Sequence, residues 1–254
     1  MTSPLPLAAA VVYCGTPPAP GAWASAWTTE PLLWALVGAW ALLTAWWRPR
    51  SGAAWGAWAL GALLYLSPLC ALSAGFFSAR VLHHVLLTAG VAPLLALALR
   101  SAAPPRAWAL TAAFALFAVA MWLWHAPAAY AWGLTTRTGY WLMQASLLGA
   151  AVWLWHTALA ARGALWPAVL ALLGTVAHMG LLGALIAFAT QALYPLHAPT
   201  VLAWGWQPLA DQQLGGLLMW VPAGVPFLAA ALWRVQVALR GAGLPTRLAA
   251  GSAP

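Results

Sequence analysis

The stretch FSARVLHHVLLTAG, residues 77–90, carries Arg80, His83 and His84 inside an otherwise apolar run. Neutral imidazole nitrogens are good ligands for copper, zinc or haem iron, and thioether sulfur selects soft Cu(I). Two further histidines stand in similar surroundings: His125 in WLWHAPAAY, and His178 in VAHMGLLG, where Met179 follows it. On a helix Arg80 and His84 share a face at a spacing of four, and Arg80 meets His83 at three. The chemistry this suggests is metal holding. His84 and His178 are read as the core of one site, with His83 and His125 as further ligands and Arg80, Met179 and Asp211 in support. Arg80 is not a ligand. Its fixed charge disfavours a cation beside it, which suits weak, transient holding of Cu(I) better than a permanent structural metal. Asp211 has two readings, a cap for the amides of Gln213 or Leu214 at the start of its own helix, or a partner for Arg80. His156 and His197 are read as hydrogen-bonding groups between helices, a contact worth about 0.6–2 kcal/mol. The same plain reading competes at the other histidines, and a b-type haem held by two facing histidines also stays open.

The solvent around these residues is set by composition. The chain has 254 residues, 65% of them hydrophobic and 5% charged, so it lacks the polar residues to cover a water-soluble surface. It is read as an all-α polytopic membrane protein embedded in the lipid bilayer. A net charge of +8 raises the question of nucleic acid, but the arginines come singly or in pairs between apolar runs, not in clusters. No nucleic-acid partner is expected. Cys14 and Cys70 lie far apart without a C-x-x-C spacing and indicate neither a disulfide framework nor a thiolate metal site. Paired carboxylates, G-x-S-x-G, H-E-x-x-H and a phosphate-cradling glycine loop are all missing from the spans, so no enzyme activity is expected.

Apolar runs long enough to cross a bilayer lie near 31–47, 53–72, 78–99, 107–126, 140–161, 165–189 and 214–236, which predicts seven transmembrane helices. Residues 1–30 are read as an extramembrane leader, 31–240 as the membrane domain and 241–254 as a cytoplasmic tail. With the N-terminus outside, Arg48, Arg50, Arg100, Arg106, Arg162, Arg234, Arg240 and Arg247 fall on the cytoplasmic side and only Arg80 and Arg137 outside, as the positive-inside rule requires. The twenty tryptophans are read as interfacial belts and packing.

The segment DQQLGGLLMWVPAG, residues 211–224, closely resembles the opening of the last helix in the polytopic CtaG-type cytochrome c oxidase assembly proteins, seven-span proteins of bacterial inner membranes. FSARVLHHVLLTAGVAPLLAL, WHAPAAY and HMGLLGALIAFATQALYP are similar to three further blocks of that family, so the resemblance runs from about residue 76 through the last helix. Departures accompany it. Arg80 stands where the family commonly has a histidine, His83 where it often has glutamine, and Ala131 where an aspartate often follows the tyrosine. His84, His125, His178 and Asp211 carry over, with His83 as a substitute ligand. The resemblance implies help in maturing a haem-copper oxidase by passing copper to it at the outer side of the inner membrane. The oxidase subunits, and a periplasmic copper chaperone as donor, are then the partners. The alternatives are a metal-free scaffold for a folding oxidase subunit and a haem-binding redox protein.

Overall fold

The computed structural model describes residues 14–99, 106, 108–160 and 165–241. The first thirteen residues of the expected leader lie outside the described residues, as does the expected tail apart from Gly241. All regular structure among the described residues is helical. The chain runs through α1 (Pro31–Trp47), α2 (Gly52–Leu66), α3 (Pro68–Gly75) and α4 (Phe77–Leu86), then a π turn (Leu87–Val91) that continues into α5 (Ala92–Ala98). It goes on through α6 (Ala109–His125), α7 (Pro127–Thr135), α8 (Arg137–Ala158), α9 (Leu165–Ala187), the short α10 (Ala198–Ala203), α11 (Pro208–Trp220) and α12 (Val225–Gly241).

Each predicted run contains a helix, but length and apolarity qualify fewer as spans. Among the described residues Phe77–Ala98, Leu165–Ala187 and Pro208–Arg240 are long and apolar enough alone, and counting each bent pair as one span brings the number there to five. The bends are written into the sequence. Pro68 and Pro127 each open a new helix, and the residue before a proline is pushed out of helical geometry. Ser67 (ψ 171°) and Ala126 (ψ 128°) are accordingly extended, and the chain turns by 53° between α2 and α3 and by 80° between α6 and α7. Pro127 does end the helix that bears His125, as its position predicts. The first run, α1, has only 17 residues.

Without a hydrophobic drive between helices in lipid, close approach depends on small residues. α11 lies against both α9 and α4. A Cβ on Gly216 would stand 2.6 Å from the Ala187 amide nitrogen, and one on Gly183 2.7 Å from the Gly216 carbonyl oxygen, so here backbone meets backbone. Gly215 gives its space to the Phe77 ring and Gly61 to the Trp40 ring, which seats α1 on α2. Beside the π turn, Trp155 Nε1 donates to the Thr88 carbonyl at 2.8 Å, pairing an acceptor where the regular ladder is disturbed.

The leader folds back over one end of the bundle. Cys14 is joined to Cys70 of α3 by a disulfide, against the expectation from their spacing. A contact closed across 56 residues by a returning segment leaves no local spacing to read. Trp204 Nε1 donates to the Pro18 carbonyl at 2.9 Å and the Thr28 amide to the Leu66 carbonyl at 3.0 Å, fastening the leader further. A cavity of about 370 Å³ lies between Pro17–Pro20 and residues such as Leu134 of α7, Thr200 of α10 and Trp204 just after it. Among the tryptophans, Trp46, Trp47 and Trp206 are exposed as belt residues should be, whereas Trp124 is buried and donates to Ser146 Oγ at 2.8 Å.

Candidate functional site

Beneath the leader lies a polar nest built around Arg80. Its side chain is 2% exposed, so it does not snorkel to the membrane surface. Arg80 Nε donates to the Ser73 carbonyl at 3.0 Å, and the guanidinium lies 5.8 Å from the centre of the Tyr140 ring. Nη1 is buried without a hydrogen-bond partner. Tyr65, His83, His84, Tyr130 and His197 are all near enough to feel the Arg80 charge.

The histidines of α4 point into this nest at different depths. His83 is fully buried, its ring edge-on to Tyr65 at 5.1 Å. It lies beside the Leu64 carbonyl, yet neither ring nitrogen meets hydrogen-bond geometry with a protein group. His84 is also buried, with Nε2 unpartnered, and it is within electrostatic reach of Arg80, His83 and His125. At the end of α6, His125 Nδ1 pairs with the Met121 carbonyl at 2.7 Å. A carbonyl accepts only, so Nδ1 carries the proton and Nε2 keeps its lone pair, the arrangement that readies an imidazole for a metal.

His178 has other company. It sits on α9 facing α6, its ring against Phe114 at 5.7 Å and Phe117 at 6.1 Å, with both nitrogens buried and unpartnered. The neighbouring Met179 is buried in the apolar core. Among the described residues no three of His, Cys, Asp and Glu come together as a metal site. His156, toward the other end of α8, is partly exposed.

Asp211 plays neither part expected of it. Its Oδ2 accepts from the Phe77 amide at 2.7 Å and Oδ1 from the Ser78 amide at 3.2 Å, and Ser78 Oγ–H also donates to Oδ1. It therefore caps α4, a different helix from its own, with a charge suited to that positive end. Arg80 reaches toward Ser73 instead. Next in sequence, Gln212 Oε1 accepts from the Leu193 amide at 2.5 Å, and its Nε2 donates to the carbonyls of Ile186 at 3.2 Å and Gln191 at 3.3 Å, closing the end of α9.

His197 joins the nest although its sequence context gave no reason to place it there. It is 2% exposed, accepts or donates with the Tyr130 hydroxyl through Nε2 at 2.7 Å, and faces the backbone of Ala74 and Gly75. The Tyr130 of WHAPAAY was the available signal, since a buried hydroxyl needs a partner. Burial first, and the Arg80 charge second, push the His197 imidazole down from 6.5 to about 3. Between those values the unfolded chain binds a proton that the folded chain refuses, so stability falls as pH drops through that window. Melting the purified protein at pH 7, 5 and 4 should show a loss that is smaller in His197→Gln. A variant with the native pH slope would remove His197 as a contributor.

What the fold and the nest define is a multi-helix membrane protein that keeps unpartnered imidazoles under a disulfide-fastened N-terminal segment. Residues 32–240 match the family described as cytochrome c oxidase caa3 assembly factor, and the chain belongs to that family. No curated protein and no solved structure matches it.

Proposed function

We propose that this protein matures a haem-copper cytochrome c oxidase by holding Cu(I) briefly at the outer side of the bacterial inner membrane and passing it on. Its role is non-catalytic. Its partners are oxidase subunits and, on the donor side, a periplasmic copper chaperone. The observation that carries the reading is two prepared imidazoles within electrostatic reach of each other: His84, whose Nε2 is buried and unpartnered, and His125, whose Nδ1 bond to Met121 leaves the Nε2 lone pair to coordinate. Two imidazoles suffice for Cu(I), which tolerates low coordination. His83 adjoins His84, its ring 5.9 Å away, without completing a three-ligand group. The Arg80 charge weakens the hold, as cargo requires and a resident metal does not. The apolar runs of the sequence support seven spans, and the arginine bias supports the capped end outside.

Cells lacking the protein should lose oxidase activity and regain it with added copper. In cells, His84→Ala and His125→Ala should lower copper retention and oxidase activity together at unchanged protein abundance, whereas His156→Ala should do neither. His178→Ala tests whether the path extends beyond Phe117, since a loss of copper retention there would add it to the site. The absence of a three-ligand group among the described residues favours a second reading, a metal-free scaffold. Oxidase activity that copper cannot restore, with wild-type activity in His84→Ala, would establish that reading instead.

A further inference from the structure

On the lipid-facing side of the bundle, α1, α2 and α8 enclose a cleft of about 280 Å³ that no part of the copper reading uses. Its walls are apolar and aromatic, including Leu33, Val37, Trp40, Trp141 and Leu148. Tyr65 and Gln144 are also among its lining residues. Gln144 is 3% exposed, and both its amide nitrogen and its amide oxygen are buried without a hydrogen-bond partner. Leaving a buried polar group unmatched costs about 1–3 kcal/mol, and hydrocarbon offers no water to relieve it. A leucine would fill the position without that cost.

The required occupant can be read from the walls. Gln144 lies seven residues into α8 from Arg137, about 10 Å along the axis, too deep for a lipid headgroup at the interface. A helix about 10 Å across cannot enter a cleft of this size. The volume is close to the smallest typical ligand pockets, about 300 Å³, which suits a ring with its tail left in the bilayer. The rings of Trp40, Tyr65 and Trp141 favour a planar guest. An amide with both donor and acceptor unmet needs a head that does both; a hydroxyl does so, and a carbonyl only accepts.

We propose that this cleft binds a membrane-dissolved aromatic amphiphile bearing a phenolic hydroxyl, held at its head by Gln144 and Tyr65 and stacked among the tryptophans. The ligand enters sideways from the bilayer and meets Tyr65, whose ring stands 5.1 Å from that of His83. The full-length protein in detergent, probed with tritiated 4-decylphenol, tests this. Binding should saturate at one per chain, and decylbenzene, which lacks the hydroxyl, should compete at least tenfold less well. Gln144→Leu should weaken binding tenfold or more while melting no lower than the native protein, because it removes an unmatched amide. Ala145→Trp should fill the cleft and abolish binding, and His156→Ala should leave it unchanged. Equal competition by decylbenzene shows simple partitioning and overturns the proposal without reference to any variant. Native affinity in Gln144→Leu overturns it as well. If that variant instead loses only its crosslinks to an oxidase subunit, the cleft receives a partner's side chain and the small-molecule reading falls.

Discussion

Asp211→Leu is expected to cost about 3–5 kcal/mol, the range for removing one partner from a buried charged network. The reason lies at the far side of the contact. Without the carboxylate, the amides of Phe77 and Ser78 and the Ser78 hydroxyl lose their acceptor at the start of α4, deep in the structure. α4 is the helix that carries Arg80, His83 and His84, so its first turn sets their positions. Asp211→Asn retains one acceptor oxygen and should lose less. Reversing both charges, with Asp211→Arg and Arg80→Asp together, should recover nothing, because the two side chains are not paired. Thermal unfolding of the detergent-purified variants measures all of this. A double variant that melts like the native protein would restore the ion pair and refute the capping role.

The fold class was legible because a chain so apolar has one solvent open to it, and in that solvent only helices or closed barrels satisfy their own backbone. The bends at Pro68 and Pro127 were legible for a local reason, since proline acts on its immediate neighbour. So was the burial of His83 and His84, once the run around them was read as membrane-embedded; a long arginine there is expected to snorkel to the outer interface, and Arg80 instead turns inward to the Ser73 carbonyl. What escaped depends on contacts between distant segments. Nothing near Cys14 announces Cys70. Nothing near Asp211 announces that its carboxylate serves α4, and the nearest local alternative, a cap on its own helix, was a reasonable expectation that the packing overrode. The segment 211–224 illustrates the point further. Its resemblance to the family pointed to function, while its residues here do structural tasks: Asp211 caps α4, Gln212 closes α9, Gly215 admits Phe77 and Gly216 meets the α9 backbone. The histidines divide in the same way. Periodicity places a residue on a helix face, but which helix that face meets decided that His197 enters the nest and that His178 lies among phenylalanines.

Removing the disulfide should have an effect of similar size, by a different route. Cys14 and Cys70 are 56 residues apart, and closing a loop of that length lowers the unfolded chain's entropy by an amount worth about 4 kcal/mol. Cys70→Ser should therefore lower the melting temperature markedly, and reduction of the native protein should reproduce the loss. The position of the bond adds a consequence for function. Cys14 Sγ lies 3.8 Å from the Tyr140 hydroxyl, and Tyr140 flanks Arg80, so the bond fastens the leader directly over the polar nest. Releasing it should open the nest to water, and exchange of the α4 amides in deuterated solvent should quicken in Cys70→Ser. The bond also carries a sense of direction. Disulfides persist in oxidising compartments, so the bond supports the proposed orientation, with the capped end on the side that the arginine bias assigns to the N-terminus. Intact cells treated with a membrane-impermeant reductant and then an impermeant maleimide should label both cysteines. Cysteines labelled only after the membrane is broken, or recovered from cells as free thiols, would invert the orientation and overturn the outer-side copper transfer proposed above.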